Sequence, residues 1–393
     1  MTNTWLQKYF RGDRFIWLIV FFMALISVLA VYSSIGTLAY KYQQGNTGYY
    51  LIKHLIILLF GIGLMYAAHL IRYTHYTGIA QLGILIAIPL LLFTLLEGTN
   101  INEASRWLTL PIINVSFQTS DLAKLVLIMY VARMLSKKQE NIKDFKTAFL
   151  PIMIPVIVIC GLILPANFST AAVLFVTCLF LMYIGRINVK HIMMMLGIGA
   201  LLFTIFVSIA LLSDTPGRVA TWKARVENFM DKDNGSVNYQ TEQSKIAIAT
   251  GGIAGKGPGN STQRNFLPHP YSDFIYSIIV EEYGLIGGIV VVLIYLVLFF
   301  RVIRFVRMSP RAFATLLAIG CSFSLVFQAM INMAVAVNLF PVTGQPLPML
   351  SMGGTSIWFT SIAIGIILSI SKEVIKENET ENVNPEPKLA AQN

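Results

Sequence analysis

Charge is scarce in this chain: Asp, Glu, Lys and Arg make up only 12% of its 393 residues, against about 25% in an ordinary soluble domain. That shortage excludes a large soluble domain. Cysteine is scarcer still. Cys160, Cys178 and Cys321 all sit in apolar runs without metal-like spacing, which excludes a disulfide framework and a zinc site. No small-residue cleavage site follows the first apolar stretch, so a first membrane helix is expected there rather than a removed signal peptide. No internal repeat is evident, which speaks against an inverted-repeat transporter. Acidic residues are outnumbered 19 to 29, for a net charge of +10. The excess cations fall mostly in short loops between apolar runs, where they set membrane topology, so no nucleic-acid partner is expected.

What the chain has is hydrophobicity, 56% of residues with a mean hydropathy of +0.69. Ten apolar segments near the ~20 residues needed to cross a bilayer lie at about 15–33, 50–70, 76–97, 119–135, 148–165, 169–184, 191–212, 274–300, 312–338 and 354–371. The expected fold is an all-α integral membrane protein of ten transmembrane helices. An even number places both termini on one side. Arg72, Lys137, Lys143, Arg186, Arg304 and Lys376 all fall on that side, while the opposite short loops hold little beyond Lys41 and Arg106. Both ends are therefore expected in the cytoplasm. The division expected is a cytoplasmic N-terminal segment 1–14, a membrane domain 15–372 with a long outer loop 213–273 between helices seven and eight, and a disordered cytoplasmic tail 373–393.

Three outer connections carry the residues suited to chemistry. The long loop ends in Gly255-Lys-Gly-Pro-Gly-Asn-Ser-Thr-Gln-Arg264 and Leu267-Pro-His-Pro-Tyr-Ser-Asp-Phe274. Asp273 opens an apolar helix, where it or Ser272 would serve as an N-cap. Equally, with Lys256 and Arg264 nearby for a phosphate-bearing ligand, it can act as a general base or hold a divalent cation. The glycine spacing is not that of a nucleotide loop, so no nucleotide is expected. Glu281 and Glu282, among apolar residues, need either a polar cavity or a basic partner.

The second connection holds Ser105-Arg-Trp-Leu108 and Phe117-Gln-Thr-Ser-Asp-Leu-Ala-Lys124. Thr119 or Ser120 can cap the helix there, and Asp121 and Lys124 are spaced to pair on one face. Arg106 suits a sugar phosphate, and Trp107 either stacks a sugar ring or anchors at the interface. The third connection, Pro341-Val-Thr-Gly-Gln-Pro-Leu-Pro348 and Ser351-Met-Gly-Gly-Thr-Ser356, describes a rigid non-helical segment that must lie against protein or a wet cavity. Gln328 and Asn332 put two polar groups on one face of the ninth span.

At these places the chain resembles the FtsW/RodA/SpoVE family of elongation, division and sporulation proteins. The carrying motifs are Arg106-Trp107, Phe117 to Leu125, Tyr239-Gln240 with Ser244 to Ile248, Gly255 to Gly284, and Phe327 to Thr355. The resemblance implies a peptidoglycan glycosyltransferase of the bacterial inner membrane. It would polymerise lipid II, an undecaprenyl-pyrophosphate disaccharide peptide, on the outer face, with a lean toward the division type. Asp273 matches the family's essential Asp and becomes the catalytic candidate, acting directly or through a Mg or Mn ion. Arg106, Trp107, Arg218, Arg225, Lys256, Gln263, Arg264, Ser351, Gly353 and Gly354 become substrate-binding candidates, and Asp121, Lys124, Glu281, Glu282, Gln328 and Asn332 the structural shell. A class B penicillin-binding transpeptidase and other division proteins are the implied partners. The chain departs from the family pattern at Thr119, Asp121, Asn167, Ser169, His269, Tyr271 and Ser272, so metal or acid chemistry is not carried onto His269 or Asn167. The rival classes are a lipid II flippase and a non-catalytic scaffold for the transpeptidase.

Overall fold

A computed structural model describes residues 11–97, 99–101, 104–110, 115–212 and 239–383. Asp13 caps α1 (Arg14–Ser34) by accepting from the Phe15 amide at 2.8 Å. A short α2 (Gly36–Gln43) leads to α3 (Thr47–Leu70), capped by Asn46. Then follow α4 (Tyr76–Glu97), α5 (Thr119–Lys137), α6 (Leu150–Ile163, entered through the π-turn Phe145–Phe149), α7 (Phe168–Ile184) and α8 (Val189–Leu212). The chain continues through α9 (Tyr239–Gly251), α10 (Ile275–Val306), α11 (Ala312–Ala336) and α12 (Ser356–Val383).

Each of the ten apolar runs carries a helix. Among the described residues seven helices are long and apolar enough to cross a membrane: α1, α3, α4, the helix ending in α6, α10, α11 and α12. The apolar stretches Phe168–Ile184 and Val189–Leu201 are shorter. Helix α5 is largely buried and carries four charges, Asp121 buried, Lys124 and Arg133 partly buried and Lys137 exposed.

Two expectations need correction. The chain is not wholly helical: β1 (Thr99–Ile101), β2 (Ala104–Leu110) and β3 (Val115–Gln118) form an antiparallel meander before α5. Trp107 of β2 stands opposite Gln118 and Leu108 opposite Phe117. The alternation of polar and apolar residues in Ser105-Arg-Trp-Leu-Thr-Leu110 is the strand period. The tail expected from 373 begins inside a helix, because α12 runs to Val383 with Val374 buried and Glu377 paired to Arg311 at 2.7 Å.

Helices α11 and α12 bury 67% and 72% of their apolar windows, where the other spans bury 28–39%; these two form the middle of the bundle. Small residues bring α3 against α12: a Cβ at Gly61 would touch Ser361, and one at Gly365 would strike the Met65 carbonyl. At the opposite end from the meander, Arg301 grips Asp13 through Nε at 3.1 Å, and the Asp13 amide donates to Ser371 Oγ at 3.1 Å. That clasp ties α1 to α10 and α12.

Candidate functional site

The site is built on a break in α10. Gly284 has φ +70° and ψ −170° inside an otherwise helical span, and the freed backbone groups are met by the segment that follows α9. The amides of Lys256 and Gly257 donate to the Glu281 and Glu282 carbonyls at 3.0 and 2.9 Å. In return the Leu285 amide donates to the Gly252 carbonyl at 2.9 Å. The two backbones cross so closely that a Cβ at Gly284 would sit on the Ile253 carbonyl and one at Gly255 on the Glu282 carbonyl. Non-helical backbone at this depth is tolerable because protein satisfies it.

The paired glutamates face inward. Glu281 accepts from Lys256 Nζ at 2.6 Å, from Thr262 Oγ1 at 2.8 Å and from the Thr262 and Gln263 amides at 3.1 and 3.2 Å, with Ser261 Oγ as a further donor. Glu282 accepts from Ser33 Oγ and from the Ser261 amide at 3.3 Å. Arg264 Nη1 donates to the Ser33 carbonyl at 3.0 Å. Lys256, Gln263 and Arg264 are thus built into the loop's own support, and Glu281 has its basic partner in the loop rather than on a neighbouring helix.

Beyond this support the chain turns through His269, which is held at φ +54°, and delivers Asp273. The capping alternative falls away: the N-cap of α10 is Phe274, with no side-chain cap bond. Asp273 Oδ1 accepts from Ser272 Oγ at 2.9 Å, and Oδ2 faces Gly344, where an added Cβ would stand at 3.7 Å. Around it the backbone is fixed on every side. Asn332 Nδ2 donates to the carbonyls of Asp273 at 2.9 Å and Gln345 at 2.7 Å. Ser351 Oγ donates to the Ser272 carbonyl at 2.6 Å, and the Met352 amide to the Tyr271 carbonyl at 2.9 Å. Burial, then the nearby Asp273 charge, push the Tyr271 phenol above the usual tyrosine range. It therefore stays protonated at neutral pH, with its hydroxyl 3.2 Å from His269 Nδ1.

The third connection, 337–355, is non-helical as its prolines and glycines require, and several helices hold it. Gln328 Nε2 donates to the Pro346 carbonyl at 3.0 Å, Gln345 donates to Thr170 of α7, Tyr295 of α10 donates to the Pro348 carbonyl, and Ser27 of α1 donates to the Leu350 carbonyl at 2.9 Å. Gln328 in turn accepts from Lys124 Nζ at 3.0 Å, and Lys124 pairs with Asp121 at 3.3 Å. A polar chain therefore runs from Asp121 through Lys124 and Gln328 to the segment facing Asp273. Neither Thr119 nor Ser120 caps α5; its N-cap is Gln118, whose side-chain amide donates to Ser120 Oγ at 2.8 Å. Asn167 caps α7 by accepting from the Thr170 amide at 3.3 Å.

Trp107 is half-buried in β2, while the side chain of Arg106 and all of Arg218 and Arg225 lie outside the described residues. Gly353 and Gly354 lie in the turn that opens α12, with Gly353 beside Pro346. Among the described residues no three His, Cys, Asp or Glu side chains converge to hold a metal ion. Sequence reasoning singled out Asp273, Asn332 and Gln328 from their side chains. It missed Ser33 and Thr170, whose only signal is a hydroxyl in or beside an apolar run, and Ser261, one small hydroxyl among the polar residues of its loop.

The pattern of the FtsW/RodA/SpoVE cell cycle proteins matches residues 13–376. The chain is 32% identical over 368 residues to a probable peptidoglycan glycosyltransferase FtsW of Geobacter sulfurreducens, covering 92% of this chain and 95% of that one. To the stage V sporulation protein E of Bacillus subtilis it is 29% identical, covering 92% and 97%. In fold it superposes on a chain of a peptidoglycan synthase complex that coordinates polymerization and crosslinking, with a TM-score of 0.74 at 22% identity, covering 92% and 98%. Sequence motifs, full-length likeness and fold agree: this chain belongs to the FtsW/RodA/SpoVE family.

Proposed function

We propose that the chain is a peptidoglycan glycosyltransferase that polymerises lipid II on the outer face of the bacterial inner membrane, in septal synthesis. Its membrane domain would cross ten times with both ends in the cytoplasm. The observation that carries the reading is the carboxylate of Asp273, presented at a helix mouth by a backbone fixed through Asn332, Ser351 and Met352. A general base must hold its geometry before it can be useful. Here the positioning falls on the carbonyls of residues 271–273 and leaves the side chain to face the Gly344 turn.

In the reaction, Asp273 takes the proton of the attacking sugar hydroxyl as the new glycosidic bond forms. The bond to the undecaprenyl pyrophosphate breaks and the leaving group departs with its electron pair. Cations near the leaving oxygens offset that charge. Lys256 is committed to Glu281 at 2.6 Å, so this role falls to Arg106, Arg218 and Arg225, with Trp107 as the stacking face. A divalent ion, Mg or Mn, fits a site with one carboxylate only if the substrate's phosphates complete its shell. Bound there, it would lower the pKa of the attacking hydroxyl. A class B penicillin-binding transpeptidase and other division proteins are the partners we assign.

The test is polymerisation of labelled lipid II by the purified chain with its transpeptidase, wild type beside Asp273→Asn. Glycan strands from the wild type and none from a folded variant are expected. Equal strands from both would remove Asp273 from the chemistry. No strands from either, beside an active control synthase, would favour a flippase or scaffold.

A further inference from the structure

A cavity lined by cations and apolar surface lies at the end of the bundle that carries the Asp13–Arg301 clasp, far from Asp273. It measures about 440 Å³ and opens between the turn that leads into α4, the last turn of α5 and the first turn of α11. That size is in the range of small-ligand pockets. Three cations line it, Arg133, Lys137 and Arg311, together with the hydroxyls of Tyr73, Thr77 and Ser136, and no carboxylate is among its lining residues.

The cations are not equivalent. Arg311 is already matched, donating to Tyr73 Oη at 2.8 Å and pairing with Glu377 at 2.7 Å, with Glu373 close by. Arg133 gives one nitrogen to the neutral Gln81 side chain at 2.8 Å, and its Nε is buried without a hydrogen-bond partner among the described residues. Lys137 is exposed and forms no ion pair among them. Helix α11 starts at the cavity wall with Ala312 and Phe313, and its N-cap supplies no side-chain acceptor. Its first amides carry the positive end of a 25-residue helix.

Lys137 in the last turn of α5 would by itself be ordinary complement to a helix end. It does not account for a buried guanidinium nitrogen without an acceptor, which costs stability unless something fills the place. A planar guanidinium, an ammonium, the hydroxyls of Tyr73 and Ser136 and a helix N-terminus together describe an oxyanion site, the Thr77 hydroxyl being already given to the Thr74 carbonyl at 2.7 Å, and the fork of Arg suits phosphate. Basic pockets between helices on the cytoplasmic side suit lipid phosphates.

We propose that this cavity binds a phosphate group, carried by the headgroup of an anionic phospholipid at the membrane boundary or as free phosphate. The site is independent of the reaction at Asp273. The test uses the full chain, purified in detergent and stripped of lipid, with thermal unfolding followed as phosphatidylglycerol, a diacylglycerol of the same chains, or inorganic phosphate is added. Phosphatidylglycerol should raise the midpoint where the diacylglycerol does not. Inorganic phosphate giving the same rise would identify the free anion as the ligand of the same site. Arg133→Gln with Lys137→Gln should weaken the response about a hundredfold, the equivalent of losing two charge-assisted bonds at about tenfold each. Lys137→Gln alone, at an exposed position, should weaken it several-fold if the double variant does not fold. Lys143→Gln with Lys146→Gln, basic positions outside the cavity, should leave it intact. A response equal in the cavity variants and the wild type, or lost equally in the outside pair, would overturn the proposal.

Discussion

Asn332 does with one side-chain amide what a whole turn of helix would otherwise have to do. Its Nδ2 holds the carbonyls of Asp273 and Gln345 together, so the candidate base and the segment facing it move as one. Replacing it with Leu leaves two carbonyls without that donor, at a cost of about 2–3 kcal/mol. Thermal unfolding in detergent should register that loss, and glycan yield should fall although the carboxylate is untouched. His269 behaves differently. At φ +54° it occupies a conformation that costs an L-residue about 1–2 kcal/mol. His269→Gly should therefore leave the unfolding midpoint unchanged or slightly higher, with polymerisation retained; a dead enzyme would give that imidazole a chemical role. Asp273, Asn332 and Gln328 were legible from sequence because carboxylates and amides stand out beside apolar residues. The acceptors that fix them were not, because the carbonyls of Ser272, Tyr271 and Gln345 carry no signature in the residue type.

Helix α10 is the element where sequence and structure part most. Its apolar run reads as one uninterrupted span, and Gly284 within it looks like any helical glycine. The break appears only when the turn segment 252–257 is laid across it, a contact between residues some thirty positions apart in sequence that hydropathy does not encode. Gly284→Ala should be severely destabilising, because a Cβ would meet the Ile253 carbonyl and φ is positive. Gly252→Ala has positive φ but open space around it, and should cost only about 1–2 kcal/mol. Comparing the two midpoints separates steric exclusion from backbone strain. The same crossing explains why Lys256 and Arg264 read from sequence as ligand cations yet fold inward. Lys256→Met should cost about 3 kcal/mol by leaving the Glu281 carboxylate buried without its ion-pair partner. Lys256→Met combined with Glu281→Gln should recover part of that loss, measured as a double-mutant cycle.

At the scale of the whole molecule, hydropathy located a helix in every apolar run but could not say which lie in the middle. That follows from packing: α11 and α12 are enclosed, while most of the others keep a broad apolar face outward. The meander before α5 was missed because three short strands leave a weak signal beside spans of twenty residues. Reporter fusions after residues 72, 138 and 308 should all read cytoplasmic, and one after residue 340 should read exported. Any inversion among the first three would refute the proposed topology. The segment 337–355 has a further consequence, which concerns the order of synthesis. Its Leu350 carbonyl is the partner of Ser27 on α1 and its Gln345 side chain that of Thr170 on α7, yet it leaves the ribosome only when most of the chain is already in the bilayer. Until then Ser27 has only His54 of α3 beside it, Asn332 holds only the Asp273 carbonyl, and Gln328 meets only Lys124. A nascent chain stopped before this strap is a set of inserted helices whose centre lacks the contacts that 337–355 makes with α1, α7, α10 and α11. Biogenesis of the active site and completion of the fold are in this sense a single late event.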